Sequence, residues 1–149
     1  MPVICVTELK SISPIATKSF YRMCIPAVLL TVGIAVISLW EAPQLPPPVL
    51  SLGDKVLHGL MYTVLAVAWM VPVAQLQISN FRFQISNYSI VCLAVTAYGA
   101  LMELLQFYCT RTRSGEWLDV LADFVGALIG VAIVGVFEIS RSRHNKKTT

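Results

Sequence analysis

Leu118-Asp119-Val120-Leu121-Ala122-Asp123-Phe124-Val125-Gly126-Ala127-Leu128-Ile129-Gly130, continued by Val131-Ala132-Ile133-Val134-Gly135-Val136-Phe137, is the stretch that decides the fold. Apart from Asp119 and Asp123 it carries no charge. About 20 residues at 1.5 Å each cross the hydrocarbon core of a bilayer. No water is available there, so the backbone must satisfy its own hydrogen bonds, and the stretch is read as a helix. Three further runs have the same character: Cys24–Trp40 without a charge, Val56–Ala74 broken chemically only by His58, and Tyr88–Tyr108 containing Glu103. Spacing of strand type does not recur.

The composition agrees. The 149 residues are 56% hydrophobic and 13% charged, and the mean hydropathy is +0.73. A soluble domain has about 45–50% apolar and about 25% charged residues. An ordinary soluble domain, a disordered chain and a disulfide scaffold are therefore excluded. The expectation is one all-α unit, an integral membrane bundle of four transmembrane helices. It divides into an N-terminal segment 1–23, a membrane unit 24–137 and a basic tail 138–149. Glu41–Asp54, with Pro43, Pro46, Pro47 and Pro48, reads as a loop that cannot be helical. Residues 75–87 read as a second loop. They hold most of a local duplication, Gln77-Ile78-Ser79-Asn80-Phe81 echoed by Gln84-Ile85-Ser86-Asn87-Tyr88, taken as a tolerated insertion. The first run resembles a signal peptide in following lysines, but no small-x-small site closes it.

Basic residues set the expected orientation. Lys10, Lys18, Arg22, Arg82, Arg141, Arg143, Lys146 and Lys147 fall on one side of such a bundle; Lys55, Arg111 and Arg113 fall on the other. The richer side is cytoplasmic by the positive-inside rule, so both termini are expected in the cytoplasm of a multi-pass cell-membrane protein. Trp40 and Trp117 then sit at the outer interface as belt residues. The basic tail enforces topology and touches anionic lipid, and is no nucleic-acid site.

Polar residues gather at the outer side: Glu41, Asp54, Glu103, Glu116, Asp119 and Asp123, against Glu8 and Glu138 at the inner side. Asp54, His58 and Tyr62 are spaced i, i+4, i+8 with Lys55 beside them. Glu103 and Gln106 share a face at i, i+3, and Asp119 and Asp123 at i, i+4. Gly126-x-x-x-Gly130 is a small-xxx-small pattern that admits close helix approach. Ionisable residues in a bilayer cost about 2.5–3.5 kcal/mol each on insertion scales, so those on three helices at one depth are expected to face one another. Two readings stay open: an ion-pair cluster that fixes bundle geometry, and an outward-facing pocket that binds a head group or moves a proton. His58 is a candidate general base or a hydrogen-bonded interface histidine. Arg111 and Arg113 either grip an anion or meet lipid head groups. The cysteines Cys5, Cys24, Cys92 and Cys109 show no ligand spacing, so neither a metal site nor a cofactor is expected.

In this order, Asp54-Lys55-x-x-His58 with Tyr62, Glu103-x-x-Gln106, an arginine loop and Asp119-x-x-x-Asp123-x-x-Gly126 resemble the VanZ-like family over residues 50–135. That family is named for a protein linked to teicoplanin resistance. The resemblance implies a small cell-envelope membrane protein, with polar positions at Asp54, Lys55, His58, Glu103, Gln106, Arg113 and Asp119. It further implies a lipid-linked or glycopeptide-like ligand such as a cell-wall precursor. Two departures are Asp123, where the pattern has Asn, and the loop Cys109–Arg113, which lacks Pro-Gly before its arginine. Arg113 is favoured over Arg111 by its step of six to Asp119. The other classes are a membrane enzyme with His58 and Glu103 as candidate catalytic acid and base, and a structural accessory subunit. No nucleophile elbow, phosphate loop or zinc motif is present.

Repulsion between Glu103 and Asp123 calls for one basic residue at the pair, expected to be Arg113. Arg113→Ala should then damage thermal stability in detergent more than Asp123→Asn. Membrane-impermeant thiol labelling of engineered cysteines should reach 41–53 and 110–116 from outside. Labelling at 77–87 instead reverses the orientation.

Overall fold

The computed structural model describes residues 14–40, 50–76, 81–110 and 116–145. They form four helices: α1 Pro14–Leu39, α2 Leu50–Leu76, α3 Phe81–Cys109 and α4 Trp117–Asn145. Each contains a segment long and apolar enough to cross a membrane: Phe20–Leu39, Gly53–Ala74, Asn87–Cys109 and Trp117–Arg141. No strand occurs among the described residues. The chain is an all-α, multi-pass membrane bundle.

Helices outrun the apolar runs, because hydropathy marks the crossing and not the helix. α2 begins at Leu50, so Leu50–Asp54 are helical where a loop was expected; the run of prolines ends at Pro48, and none lies beyond it until Pro72, which the helix contains. α3 begins at Phe81, so the second copy of the duplication, Gln84–Tyr88, is helical too. It holds no Pro or Gly to stop a helix. α1 opens with Pro14, whose missing N–H is no loss in a first turn, and α4 continues through Arg141 and Arg143. The helices therefore extend beyond both bounds of 24–137. Pro43–Pro48 and Gln77–Asn80 lie outside the described residues.

The chain runs up and down. The C-terminal end of α3 meets that of α1, where Gln106 Nε2 donates to Ser38 O at 3.0 Å. The N-terminal ends of α2 and α4 meet through Lys55 and Glu116, 3.0 Å apart. These four helix ends form one polar end of the bundle. At the opposite end Tyr88 OH donates to Glu138.

α2 and α4 run parallel and touch backbone to backbone. A Cβ on Gly126 would enter the Gly59 carbonyl group. One on Gly130 would lie 2.5 Å from Thr63 O and 2.8 Å from Ala66 Cβ. Thr63 Oγ1 lies 2.7 Å from Gly59 O and 3.0 Å from Gly126 O, so one hydroxyl serves both helices. In lipid, where apolar burial does not drive helices together, such close packing is what holds them. The core fills in around this crossing with Tyr62, Leu65, Ala66, Met70, Val91, Cys92, Val95, Ile34 and Ala127. α1 is tied on by Trp69 Nε1 donating to Thr31 Oγ1 at 3.1 Å and Tyr98 OH donating to Thr31 O at 2.6 Å. Large apolar side chains such as Leu93, Ile133 and Phe137 are exposed on the outer surface of the bundle, as suits helices that cross a membrane.

Gly126→Ala should lower stability in detergent by about 1–3 kcal/mol, the usual cost of overpacking. Gly33→Ala, whose Cβ would meet nothing within 4 Å, should leave thermal unfolding unchanged or slightly higher. Equal effects at the two positions would show that the crossing is not the tight contact described.

Candidate functional site

The polar end is built from α2, α3 and α4. On the first turns of α2, Lys55 and His58 are one turn apart and so share a stripe with Tyr62. Tyr62 stacks on His58 with parallel rings, centroids 6.3 Å apart and 4° between planes. Tyr62 is itself buried and lies 6.3 Å from the Tyr98 ring. Asp54, half-buried, borders the cluster with a carboxylate oxygen within 4.8 Å of donor atoms on His58 and Asp119.

α4 enters with Asp119 in its first turn, where a carboxylate suits the positive end of the helix. The parallel register sets Asp119 opposite Lys55 and Asp123 opposite His58. Lys55 Nζ bonds Glu116 Oε2 at 3.0 Å and lies 3.3 Å from Asp119 Oδ1, an ion-pair distance without a well-aimed hydrogen bond. His58 Nδ1 is 2.9 Å from Asp123 Oδ1. Asp123 is 0% exposed, the most deeply buried charged residue of the cluster.

α3 supplies Glu103, 5% exposed. Its Oε2 accepts the Glu116 N–H at 3.0 Å, which orients the carboxylate. The other oxygen, Oε1, then faces His58 Nδ1 at 3.9 Å. Gln106, on the same face by spacing, turns to α1 and bonds Ser38 O instead. Gly99, one turn before Glu103, makes room for the neighbour: a Cβ there would strike the Asp123 carboxylate.

His58, Glu103, Asp119, Asp123 and Lys55 thus come together, with Tyr62 and Asp54 at the margin. Gln106 is buried beside α1. Arg111 and Arg113 lie outside the described residues, so the basic partner expected for Glu103 and Asp123 is not among them. Among the described residues, Lys55 reaches Asp119 and Glu116, and His58 reaches Asp123. Residue spacing alone passed over Gly59, Thr63, Gly99 and Ser38. The first two repeat the small-xxx-small pattern on α2, a signal that was present; Gly99-x-x-x-Glu103 becomes meaningful only opposite Asp123.

The arrangement is rich in acceptors. Glu103 Oε1, Asp119 Oδ1 and Asp123 Oδ2 are buried and accept no hydrogen bond among the described residues. Such groups are costly in an apolar medium and call for donors or cations. No metal site was expected because no ligand spacing runs along the chain. In space, donor atoms of His58, Glu103 and Asp123, all buried, fall within 4.8 Å of one another. They arrive from three helices, which a search for close spacing does not register.

A family model described as VanZ/LLP1 matches residues 4–138, well beyond the 50–135 stretch that carried the motifs. No curated protein and no solved structure matches the chain.

Gly99→Ala should cost about 1–3 kcal/mol by displacing the Asp123 carboxylate. In an Asp123→Ala background the same change should cost almost nothing, a coupling of at least about 1 kcal/mol in a double-mutant cycle of detergent unfolding. Additive costs would mean that Gly99 and Asp123 do not contend for the same space.

Proposed function

The chain belongs to the VanZ/LLP1 family, and from that premise we propose that it binds a lipid-linked ligand of the cell envelope at its polar end, with both termini cytoplasmic and the polar end outward. One observation carries this reading: α2 presents two unlike surfaces within two turns. His58 belongs to the acceptor-rich cluster. Leu60, Met61 and Val64 line an apolar groove of about 450 Å³ between α1 and α2, completed by Leu29, Leu30, Gly33, Ile34 and Ile37. That size lies within the range of ligand pockets, about 300–1,000 Å³. An amphiphile fits such a pairing, its acyl chain in the groove and its hydroxyl or amine groups at the carboxylates. Of the two ligand types the family resemblance implied, the groove favours the lipid-linked one over a free glycopeptide. The excess of basic residues on the opposite side supports the orientation.

A second reading, a membrane enzyme acting on such a head group, is favoured by the His58–Asp123 contact of 2.9 Å. A carboxylate on one imidazole nitrogen orients the ring and stabilises its charged form during proton transfer. Glu103 would then be the partner acid or base.

Mass spectrometry of lipids copurifying with the wild type should find one lipid class enriched over the bulk membrane, and His58→Ala should lose it. Wild type carrying only bulk lipid overturns the binding reading. Glu103→Gln that keeps the lipid but blocks its conversion makes the protein an enzyme, whereas unfolding of that variant makes the cluster structural.

A further inference from the structure

We propose that His58, Glu103 and Asp123 form the binding site of one divalent first-row transition-metal ion, of zinc type, held between α2, α3 and α4. The inference does not depend on the lipid-binding reading.

Three observations converge. The first is the donor set: one imidazole and two carboxylates, on separate helices, within 4.8 Å of one another. Imidazole suits zinc and its neighbours, whereas calcium and magnesium prefer all-oxygen shells. Tetrahedral ligands about 2.0–2.1 Å from zinc lie roughly 3.4 Å apart. His58 Nδ1 is 2.9 Å from Asp123 Oδ1 and 3.9 Å from Glu103 Oε1, values that bracket this spacing.

The second is an unmet demand inside the cluster. Glu103 is 5% exposed, and its Oε1, directed at His58, accepts no hydrogen bond among the described residues; neither does Oδ2 of the fully buried Asp123. The other Glu103 oxygen is already held by the Glu116 N–H at 3.0 Å. Such a hydrogen bond to the outer atom of a ligand carboxylate is what orients metal ligands elsewhere.

The third is charge. Lys55 faces Asp119 and Glu116. A ligating histidine is neutral and ligating carboxylates are ionised. In that ligating state Glu103 and Asp123 would carry two negative charges in the membrane-spanning part of the bundle, and one divalent ion would balance both. The neighbouring group of Asp54, His58 and Asp119 is the weaker candidate, because Lys55 already lies against Asp119. Three protein ligands leave a coordination position open, as in catalytic rather than structural zinc sites.

The test uses the full chain in detergent, stripped with chelator and retitrated with Zn²⁺, Co²⁺ or, as a control, Mg²⁺. Zn²⁺ should bind at about one equivalent per chain and raise the unfolding temperature, while Mg²⁺ at the same concentration should not. Co²⁺ should give visible ligand-field bands without a sulfur charge-transfer band, which separates this site from Cys109. Glu103→Gln and His58→Gln should each weaken Zn²⁺ binding by at least about 100-fold, beyond the loss usual for an outer-shell change. The proposal is overturned if the wild type shows neither binding nor stabilisation. It is equally overturned if Glu103→Gln binds Zn²⁺ as tightly as wild type, or if the cobalt spectrum reports sulfur. The wild-type measurements decide the matter even where a variant does not fold.

Discussion

The contact of α2 with α4 at Gly59 and Gly126 is the constraint from which the remaining geometry follows. A side chain at position 126 would occupy the place of the Gly59 carbonyl, so the two backbones can meet only where glycine permits. Because the helices run parallel, one point of contact sets the register along their whole length. Toward the polar end, His58 meets Asp123 first and Lys55 meets Asp119 a turn further on. In the other direction Thr63 and Ala66 meet Gly130. A shift by one residue on either helix would rotate about 100° of helix face and separate every one of these pairs.

This register gives the acids somewhere to be. Each ionisable group placed at the centre of a bilayer costs about 2.5–3.5 kcal/mol on insertion scales. Asp119 and Asp123 on α4, Glu103 on α3 and His58 on α2 are all buried against protein instead. Among the described residues that burial meets some of their demand and not all of it: Glu103 Oε1 and Asp123 Oδ2 accept no hydrogen bond, and Asp119 Oδ1 has the Lys55 ion pair at 3.3 Å. The open acceptors set this end of the molecule apart and underlie both the ligand and the metal proposals.

Two faces of α2 underlie the amphiphile proposal. Its stripe at 58, 62, 65, 66 and 70 is buried against α3 and α4, whereas Leu60 and Val64 face the groove beside α1. α1 is attached by a few specific hydrogen bonds, from Gln106, Tyr98 and Trp69, rather than by a glycine crossing. That looser attachment leaves the groove between α1 and α2.

Sequence alone determined the class of the molecule: four runs of bilayer length, polar residues collected at one end, and a family resemblance that the match over 4–138 bears out. These were legible because membrane insertion depends on composition within a single segment, and a segment is local in the chain. Helix limits were less so. Leu50–Asp54 and Phe81–Asn87 are helical beyond their apolar runs, since at the interface water can solvate a polar helix and hydropathy no longer marks where it stops. Only the tertiary structure decided which polar groups meet. It turned Gln106 to Ser38 and Glu103 to His58 although both share one face of α3. It also gave Gly99 its purpose and gathered an imidazole and two carboxylates from three helices. Pairings between helices depend on register and rotation, which are set by where glycines let backbones touch, and no spacing along one helix contains that information.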